Sequence, residues 1–366
     1  MKIIISVFLL FISPVFLYSG TFIPAAECGK CHRDIYREWQ SSRHANASPQ
    51  KDPLYAGMYD WAVQAAGDKM KNHCISCHAP FSAVFQNQEW NQPFNQEGIT
   101  CQFCHGAAKI AGFHNAADIQ FEPDTVYSYQ PAAENPAHTT AHRDYYGTSS
   151  ICLPCHAVMK NPKGVMVCAT GEEWQAYAER TGAACQDCHM PKENGRMSHL
   201  FGGTHNGALL DGAVDLKVDY TAETGELRIS LTNSQAGHAL PTGTPMRMVY
   251  LKVRASDKSG NLLWENWKEN PIREDHSALF MKILGDSAEM TPRPPWEATG
   301  FLFKRLLMPD ETVDVHYKIP EKDITQIETA LYYRFAPAAM IKRFNISDRK
   351  FTAPKLIAQE LLQVSP

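Results

Sequence analysis

The pattern Cys-x-x-Cys-His occurs five times, and this repeat constrains the fold more than any other feature of the chain. It uses ten of the eleven cysteines and five of the fifteen histidines. Two thiols three positions apart lie on one face of a helical turn, with the histidine directly after them. The five motifs are Cys28–His32, Cys74–His78, Cys101–His105, Cys152–His156 and Cys185–His189.

This spacing is the one that attaches haem c to a polypeptide. The two thiols add to the vinyl groups of one haem, and the histidine becomes the proximal ligand of its iron. Zinc sites and disulfides also use paired cysteines, but neither requires a histidine after every pair. The sequence therefore predicts five haem c groups. The predicted thioether cysteines are Cys28, Cys31, Cys74, Cys77, Cys101, Cys104, Cys152, Cys155, Cys185 and Cys188, and the predicted proximal ligands are His32, His78, His105, His156 and His189.

Ten further histidines can supply the sixth ligands of the irons. A low-potential electron-transfer haem commonly takes a second histidine, and the count permits this at every site. His44 ends a short predicted helix that follows the first motif, so it would serve a neighbouring haem. The distal ligands that we predict are His44, His114, His142, His199 and His238.

Two of these choices are made between neighbours. His138 and His142 both precede the fourth motif, and we favour His142. His199 and His205 both follow the fifth motif, and we favour His199. The remaining histidines lie directly beside a motif or far from all of them, and we do not expect them to be ligands: His73, His276 and His316.

His238 begins the loop Gly237–Gly243, well beyond the last motif. Glycine and proline fix such a turn, so one interpretation is a turn histidine with a backbone partner. The sharper hypothesis is that His238 reaches back to a haem and locks the two halves of the chain together. The cysteine outside the motifs, Cys168, lies in an apolar stretch. We expect it to be a buried inert thiol, with a reactive thiol or an unusual iron ligand as the alternatives.

The composition divides the chain into four segments. Residues 1–20 combine a short basic start with an apolar run that Pro14 interrupts, which is typical of a secretory signal, or of a retained N-terminal anchor. Residues 21–206 carry every motif, and we expect a loop-rich, mainly α multihaem domain. We expect an antiparallel β-sandwich-like domain over residues 207–336 and a tail with short helices over residues 337–366. The predicted fold class is therefore mixed.

The prediction of strands depends on alternation after residue 206. Leu216, Val218 and Tyr220 alternate with polar residues, and a turn containing Gly225 precedes the next alternating run, Leu227–Leu231. About seven short strands separated by polar turns are typical of an antiparallel sandwich. Further strand-like runs are Met248–Val253, Leu262–Trp264, Gly300–Leu307, Val313–Ile319 and Ile327–Phe335.

The formal net charge of −4 argues against a nucleic-acid partner. Each haem brings two propionates, so the loaded protein would be more acidic, and a basic patch on a redox partner could steer docking. The predicted leader places the body of the protein in the periplasm or outside the cell, with membrane association through the N-terminus if the leader is retained.

At these residues the sequence resembles the multihaem cytochromes related to tetrahaem cytochrome c-554. The resemblance covers roughly residues 25–245. It depends on the first motif with Trp39 and His44 after it, the third motif with Gly98 before it, and the fifth motif with Met190 after it. The segment Ser198–Gly203 and the loop Gly237–Gly243 resemble larger members that have a C-terminal β domain. The resemblance strengthens His44, His114, His199 and His238 as expected ligands; five motifs instead of four leave the haem order open.

Three functions are compatible with this sequence. We favour an electron carrier that connects a quinol oxidase or another cytochrome to a terminal acceptor. A multihaem oxidoreductase for a small nitrogen or sulfur compound would need one open iron position, and no motif ends in the lysine that marks the active haem of pentahaem nitrite reductases. A protomer of an oligomer or extracellular filament is the third function. Whether the protein is also an enzyme stays open.

Overall fold

The chain forms two structural parts that differ in their secondary structure. The computed structural model describes residues 21–133, 137–193, 195–205 and 209–364. We call residues 21–205 the haem-motif part and residues 209–364 the strand-rich part. The predicted leader or anchor, residues 1–20, lies outside the described residues. In the ranges above, no helix has both the length and the apolar character needed to cross a membrane.

The helices of the haem-motif part are short, and most of them carry or adjoin a motif. Asp52 caps one of them by accepting hydrogen bonds from the Leu54 and Tyr55 amides, and Thr100 caps another through the Phe103 amide. Helices of this length are not stable alone, so their packing partners must hold them. They are α1 (Ala25–Gly29), α2 (Arg33–Ser41), α3 (Pro53–Ala66), α4 (Asp68–His78), α5 (Phe81–Val84), α6 (Pro93–Gln96), α7 (Cys101–His105), α8 (Leu153–His156), α9 (Thr170–Thr181) and α10 (Cys185–His189).

Short strand pairs and 3-10 turns connect these helices. The strands are β1 (Ala107–Ile110), β2 (Ile119–Phe121), β3 (Thr125–Ser128), β4 (Thr139–His142), β5 (Met159–Lys160), β6 (Met166–Cys168), β7 (Lys192–Glu193) and β8 (Arg196–Met197). The 3-10 turns are Ala116–Asp118, Asp144–Gly147 and Ser149–Ile151. The pairs β1–β2, β5–β6 and β7–β8 are antiparallel, whereas β3–β4 is parallel. Helices therefore dominate the haem-motif part, as expected.

The strand-rich part consists mainly of antiparallel strands. The strands are β9 (Val214–Thr221), β10 (Glu226–Asn233), β11 (Met248–Ser256), β12 (Leu262–Glu265), β13 (Leu279–Asp286), β14 (Thr291–Pro292), β15 (Gly300–Arg305), β16 (Thr312–Lys318), β17 (Gln326–Arg334) and β18 (Lys355–Gln363). Among the described residues, they form one sheet of three strands in the order β16-β10-β9. A second sheet of seven strands has the order β14-β13-β11-β17-β18, with β12 beside β11 and β15 beside β13. Its helical turns are α11 (Pro271–Glu274), His276–Ala278, α12 (Ala338–Arg343) and α13 (Arg349–Thr352).

One hydrophobic cluster joins the two sheets. It contains Ile229 of β10 and Val315 of β16 from the smaller sheet, and Leu251 of β11 and Leu331 of β17 from the larger one. Leu54 of α3 in the haem-motif part is buried in the same cluster. The predicted mixed fold, with helices in the N-terminal region and antiparallel strands after it, is confirmed. The sandwich arrangement stays a prediction.

The structure departs from the expected strands at two places. The predicted tail does contain short helices, but β18 then pairs with β17 along the edge of the larger sheet. Only Ile357 of β18 is buried, so its sequence carries little alternation. Strand β13 was also not expected, because its buried residues form a nearly continuous run that includes Lys282.

Polar contacts connect the two parts around β5, β6 and α9. The buried Lys282 ammonium donates to the Val167 carbonyl at 3.2 Å and to the Gly243 carbonyl at 3.0 Å. The Asn161 amide donates at 2.8 Å to the carbonyls of both Pro295 and Ala298. The Asn161 amide and one of the two Lys282 hydrogen bonds are satisfied across the boundary, so they help to fix how the haem-motif part sits on the sheets.

Candidate haem centres

Several motif histidines are oriented by backbone carbonyls. Nδ1 of His78 lies 2.9 Å from the Ala47 carbonyl, Nδ1 of His105 lies 2.9 Å from the Tyr127 carbonyl, and Nδ1 of His189 lies 2.6 Å from the Gly202 carbonyl. A carbonyl only accepts hydrogen bonds, so Nδ1 must carry the proton in each ring. Nε2 is then unprotonated, which is the state that binds a metal.

Four motif histidines each face a second histidine. The ring centroids are 6.4 Å apart for His32 and His138, 6.2 Å for His44 and His156, 6.3 Å for His105 and His199, and 6.1 Å for His189 and His238. We call these four the facing pairs. Two imidazoles that each bind one metal at ~2.0 Å from opposite sides have centroids roughly 6 Å apart, so an iron fits between the members of every pair.

Burial disfavours the charged form of several of these imidazoles. The pKa of His44 falls to about 3, and those of His156 and His238 fall to about 4, mainly because burial disfavours the charged ring. Nδ1 of His44 and Nδ1 of His138 are also buried without a hydrogen-bond partner. A metal bound between the rings would give such buried nitrogens a partner, so the residues present fit haem iron.

Local packing brings His44 and His199 to their partners. The carbonyl of His44 accepts from the Ile99 amide at 3.0 Å, and a Cβ on the preceding Gly98, whose φ is +71°, would lie 2.3 Å from that carbonyl. Glycine is therefore required for this close approach. Glu38 of α2 accepts from the His199 amide at 2.8 Å and pairs with Arg196 at 2.5 Å, which fixes the loop that carries His199.

The comparisons with known proteins agree with this arrangement. Residues 27–106 match the family described as cytochrome c554 and c-prime. No curated protein matches the chain. The crystal structure of a penta-haem cytochrome c552 from Thermochromatium tepidum is 30% identical, with a TM-score of 0.83, over 93% of this chain and 99% of that chain. This chain belongs to the multihaem c-type cytochromes. The predicted family, haem c as cofactor and electron transfer as the general activity are thereby confirmed.

Two predicted distal ligands of this cytochrome do not lie in facing pairs. His138, and not His142, faces His32; Nε2 of His142 is 2.8 Å from the Asp144 carboxylate, which raises the pKa of His142. The side chain of His114 is 85% exposed and lies 3.1 Å from the Asp118 carboxylate. The expectation for His142 used its position before the fourth motif, and that for His114 used its position after the third motif together with the family resemblance. Neither reports the direction of a ring on a loop.

His78 differs from the other motif histidines of the cytochrome. Within the described ranges no second histidine faces its ring; instead the ring of Tyr55 is stacked on it at 3.7 Å, with an angle of 2° between the planes. The Tyr55 hydroxyl is buried without a hydrogen-bond partner, and burial together with Cys74 raises its pKa well above the usual value. Nothing in the sequence around Tyr55 signalled this contact.

Cysteines of different motifs approach one another. The thiols lie close enough to shift one another's pKa in three pairs: Cys28 with Cys101, Cys77 with Cys155, and Cys152 with Cys185. The first motif therefore adjoins the third, the second adjoins the fourth, and the fourth adjoins the fifth. Cys31 and Cys188, in the first and fifth motifs, are exposed, and every other cysteine is at least partly covered.

Cys168 takes no part in a facing pair. It lies next to the buried Lys282, and burial raises the pKa of its thiol to about 11. The thiol is therefore protonated near neutral pH, in keeping with the expected inert side chain.

Proposed function

We propose that this cytochrome carries five haem c groups, four of them ligated by two histidines, and transfers electrons between redox proteins outside the cytoplasm. The observation that carries the proposal is the set of four facing pairs, each with a ring separation that suits one iron. When bound, each haem accepts and releases one electron at its iron.

The chain itself supplies ligands, spacing and shielding. The two histidines of each facing pair would hold one haem iron between them, so no substrate would have to bind there. Neighbouring motifs lie adjacent, in the order first to third and second to fourth to fifth. The exposed Cys31 and Cys188 suggest that partners dock at the first and fifth motifs. A quinol oxidase or another cytochrome is the kind of partner that this activity requires.

The test is a redox titration of the purified protein, followed by visible and electron paramagnetic resonance spectra, with haem quantified per chain. We expect five haems, four of them low-spin in the ferric state. Fewer than five haems, or fewer than four low-spin signals, would contradict the proposal. Fractionation of the host cell tests export, and the particle size of the purified protein tests for an oligomer or filament.

One observation favours a second function, the binding or conversion of a small nitrogen or sulfur compound at the second motif. His78 has no facing histidine among the described residues, so the sixth position of that haem is not assigned to a protein ligand. We expect reduced protein to bind carbon monoxide, and oxidised protein cyanide, at one haem per chain. Five low-spin haems that bind neither ligand would exclude this function.

A further inference from the structure

A group of cations lies where the haem-motif part meets the strand-rich part. It consists of Arg43, Arg247, Lys350 and Lys355 around the half-buried ring of His205, and we call it the boundary cation cluster. Burial and these four cations lower the pKa of His205 to about 2, so its ring is neutral.

Two aromatic rings organise the cluster. His205 stacks on Phe335 at 4.1 Å and meets Phe351 edge-on at 5.8 Å. The Arg43 guanidinium lies 5.5 Å from the centre of the Phe351 ring, and the Lys355 ammonium lies 5.3 Å from that of Phe335. Lys355 also donates to the His205 carbonyl at 3.0 Å. Arg43 and Lys355 are therefore held in place by packing and are only partly exposed, whereas Lys350 is exposed.

The cluster has more positive than negative charge. Within the described residues, Asp52 is the carboxylate that forms an ion pair with it, through Arg43. The Arg247 guanidinium donates to the Thr242 carbonyl at 3.2 Å and has no carboxylate partner in the same ranges. Removing several neighbouring cations from water costs free energy unless anions pair with them. The excess of positive charge in the cluster therefore points to an anionic ligand.

Unpaired polar atoms point to the same place. Nη1 of Arg43 and Nδ1 of His205 are both buried without a hydrogen-bond partner. A buried polar group left unpaired is unfavourable, and more so when it is charged. Nη1 of Arg43 and Nδ1 of His205 therefore indicate that a ligand at the cluster would give both atoms a hydrogen-bond partner.

The cluster borders three haem centres. Arg43 directly precedes His44, which faces His156 at 6.2 Å. Its ion-pair partner Asp52 caps the helix that places Tyr55 on the His78 ring. Arg247 donates to the Thr242 carbonyl in the loop that carries His238. A haem c in any of these centres brings two propionate carboxylates, which are the nearest anions that the loaded protein would contain.

We propose that the boundary cation cluster binds propionates of the haems held at His78 and His156, and that the strand-rich part thereby raises the reduction potentials of these haems. The inference rests on the proposed haem content. Reduction lowers the positive charge at the iron, so nearby cations that are not fully neutralised favour the reduced state. Arg247 and Lys355 belong to the strand-rich part, which gives that part a role in the redox chemistry beyond His238.

The decisive variant is Arg247→Gln in the loaded, full-length protein, with Arg254→Gln as the matched control. Arg254 lies on the same strand region but is exposed and outside the cluster. In a spectroelectrochemical titration we expect one or two haems to become harder to reduce by about tenfold in the equilibrium constant, which is about 59 mV for one electron. Arg254→Gln should leave all potentials unchanged.

Arg247→Lys should restore most of the potential, because it keeps the charge. If Arg247→Gln does not yield loaded protein, Lys355→Gln at the edge of the cluster tests the same charge effect. Potentials that move no more in these variants than in Arg254→Gln would overturn the inference, even with five haems present. Fewer than five haems in the unaltered protein would instead contradict the proposed function.

A free anion is the competing ligand. Adding inorganic phosphate at constant ionic strength should leave the potentials of the unaltered protein unchanged if propionates fill the cluster. Potentials that fall as phosphate is added, and that no longer respond in Arg247→Gln, would mean that the cluster binds a free anion and would overturn the proposal.

Discussion

The haem-motif part and the strand-rich part are stabilised in different ways. In the described residues, the strand-rich part has a large hydrophobic cluster that both sheets share and a smaller one, whereas the haem-motif part has separate clusters of three buried residues, such as Phe81, Phe103 and Ala116. In the haem-motif part, histidines and cysteines of different motifs also lie close together. This contrast indicates that attached haem takes the place of much of a hydrophobic core in a part that packs on a well-packed neighbour.

Removing the cofactor should have the largest effect on this comparison. A chain produced without haem attachment should lose the structure of the haem-motif part, because short helices and small clusters cannot hold it. Limited proteolysis with mass spectrometry should then cut residues 21–205 and spare residues 209–364. The loaded protein is the control. Equal resistance of both parts to the protease in the haem-free chain would contradict the proposed difference in how the two parts are stabilised.

A core substitution should weaken the strand-rich part from within. Leu251 is fully buried between the sheets, so Leu251→Ala should lower the free energy of unfolding by about 2–5 kcal/mol. Denaturant titration followed by far-ultraviolet circular dichroism measures this. Leu262→Ala is the control, since Leu262 is 51% exposed and its loss should change little. Equal effects of the two variants would mean that the shared core does not carry the stability.

His238 is the histidine of the strand-rich part that faces a motif histidine, His189. His238→Ala should therefore convert one haem in five from low-spin to high-spin, which visible and electron paramagnetic resonance spectra detect. His276→Ala is a suitable control, because His276 hydrogen-bonds the Ile272 carbonyl and lies outside the facing pairs. If every low-spin signal survives in His238→Ala, ligation across the boundary is ruled out.

The smallest effect is expected from an exposed ion pair across the boundary. Arg180 of α9 pairs with Asp310, and both side chains are more than half exposed. Arg180→Gln should cost at most about 1 kcal/mol and nothing measurable at high salt. Arg228→Gln, which removes an exposed pair within the strand-rich part, is the matched comparison. A larger, salt-independent loss in Arg180→Gln would show that this contact holds the two parts together.

Local sequence patterns predicted much of the fold. The alternation around Leu227 and Leu231 predicted β10, and the turn at Gly225 joins it to β9. The same method failed for β13, where burial on both faces removes the alternation, and for β18, where little is buried. Periodicity reports a strand only when one face is buried and the other is not.

The amino-acid sequence was sufficient to predict the cofactor type and its attachment points, because vinyl addition and proximal ligation require fixed spacings within five residues. The ring contacts became known from the fold: His138 instead of His142 faces His32, His44 faces His156, and Tyr55 stacks on His78. These partners lie on different elements, and their approach depends on loop paths and packing between the parts. No local spacing encodes such contacts. The motifs therefore predict which histidines are proximal ligands, whereas the fold is needed to see which second histidine faces each of them.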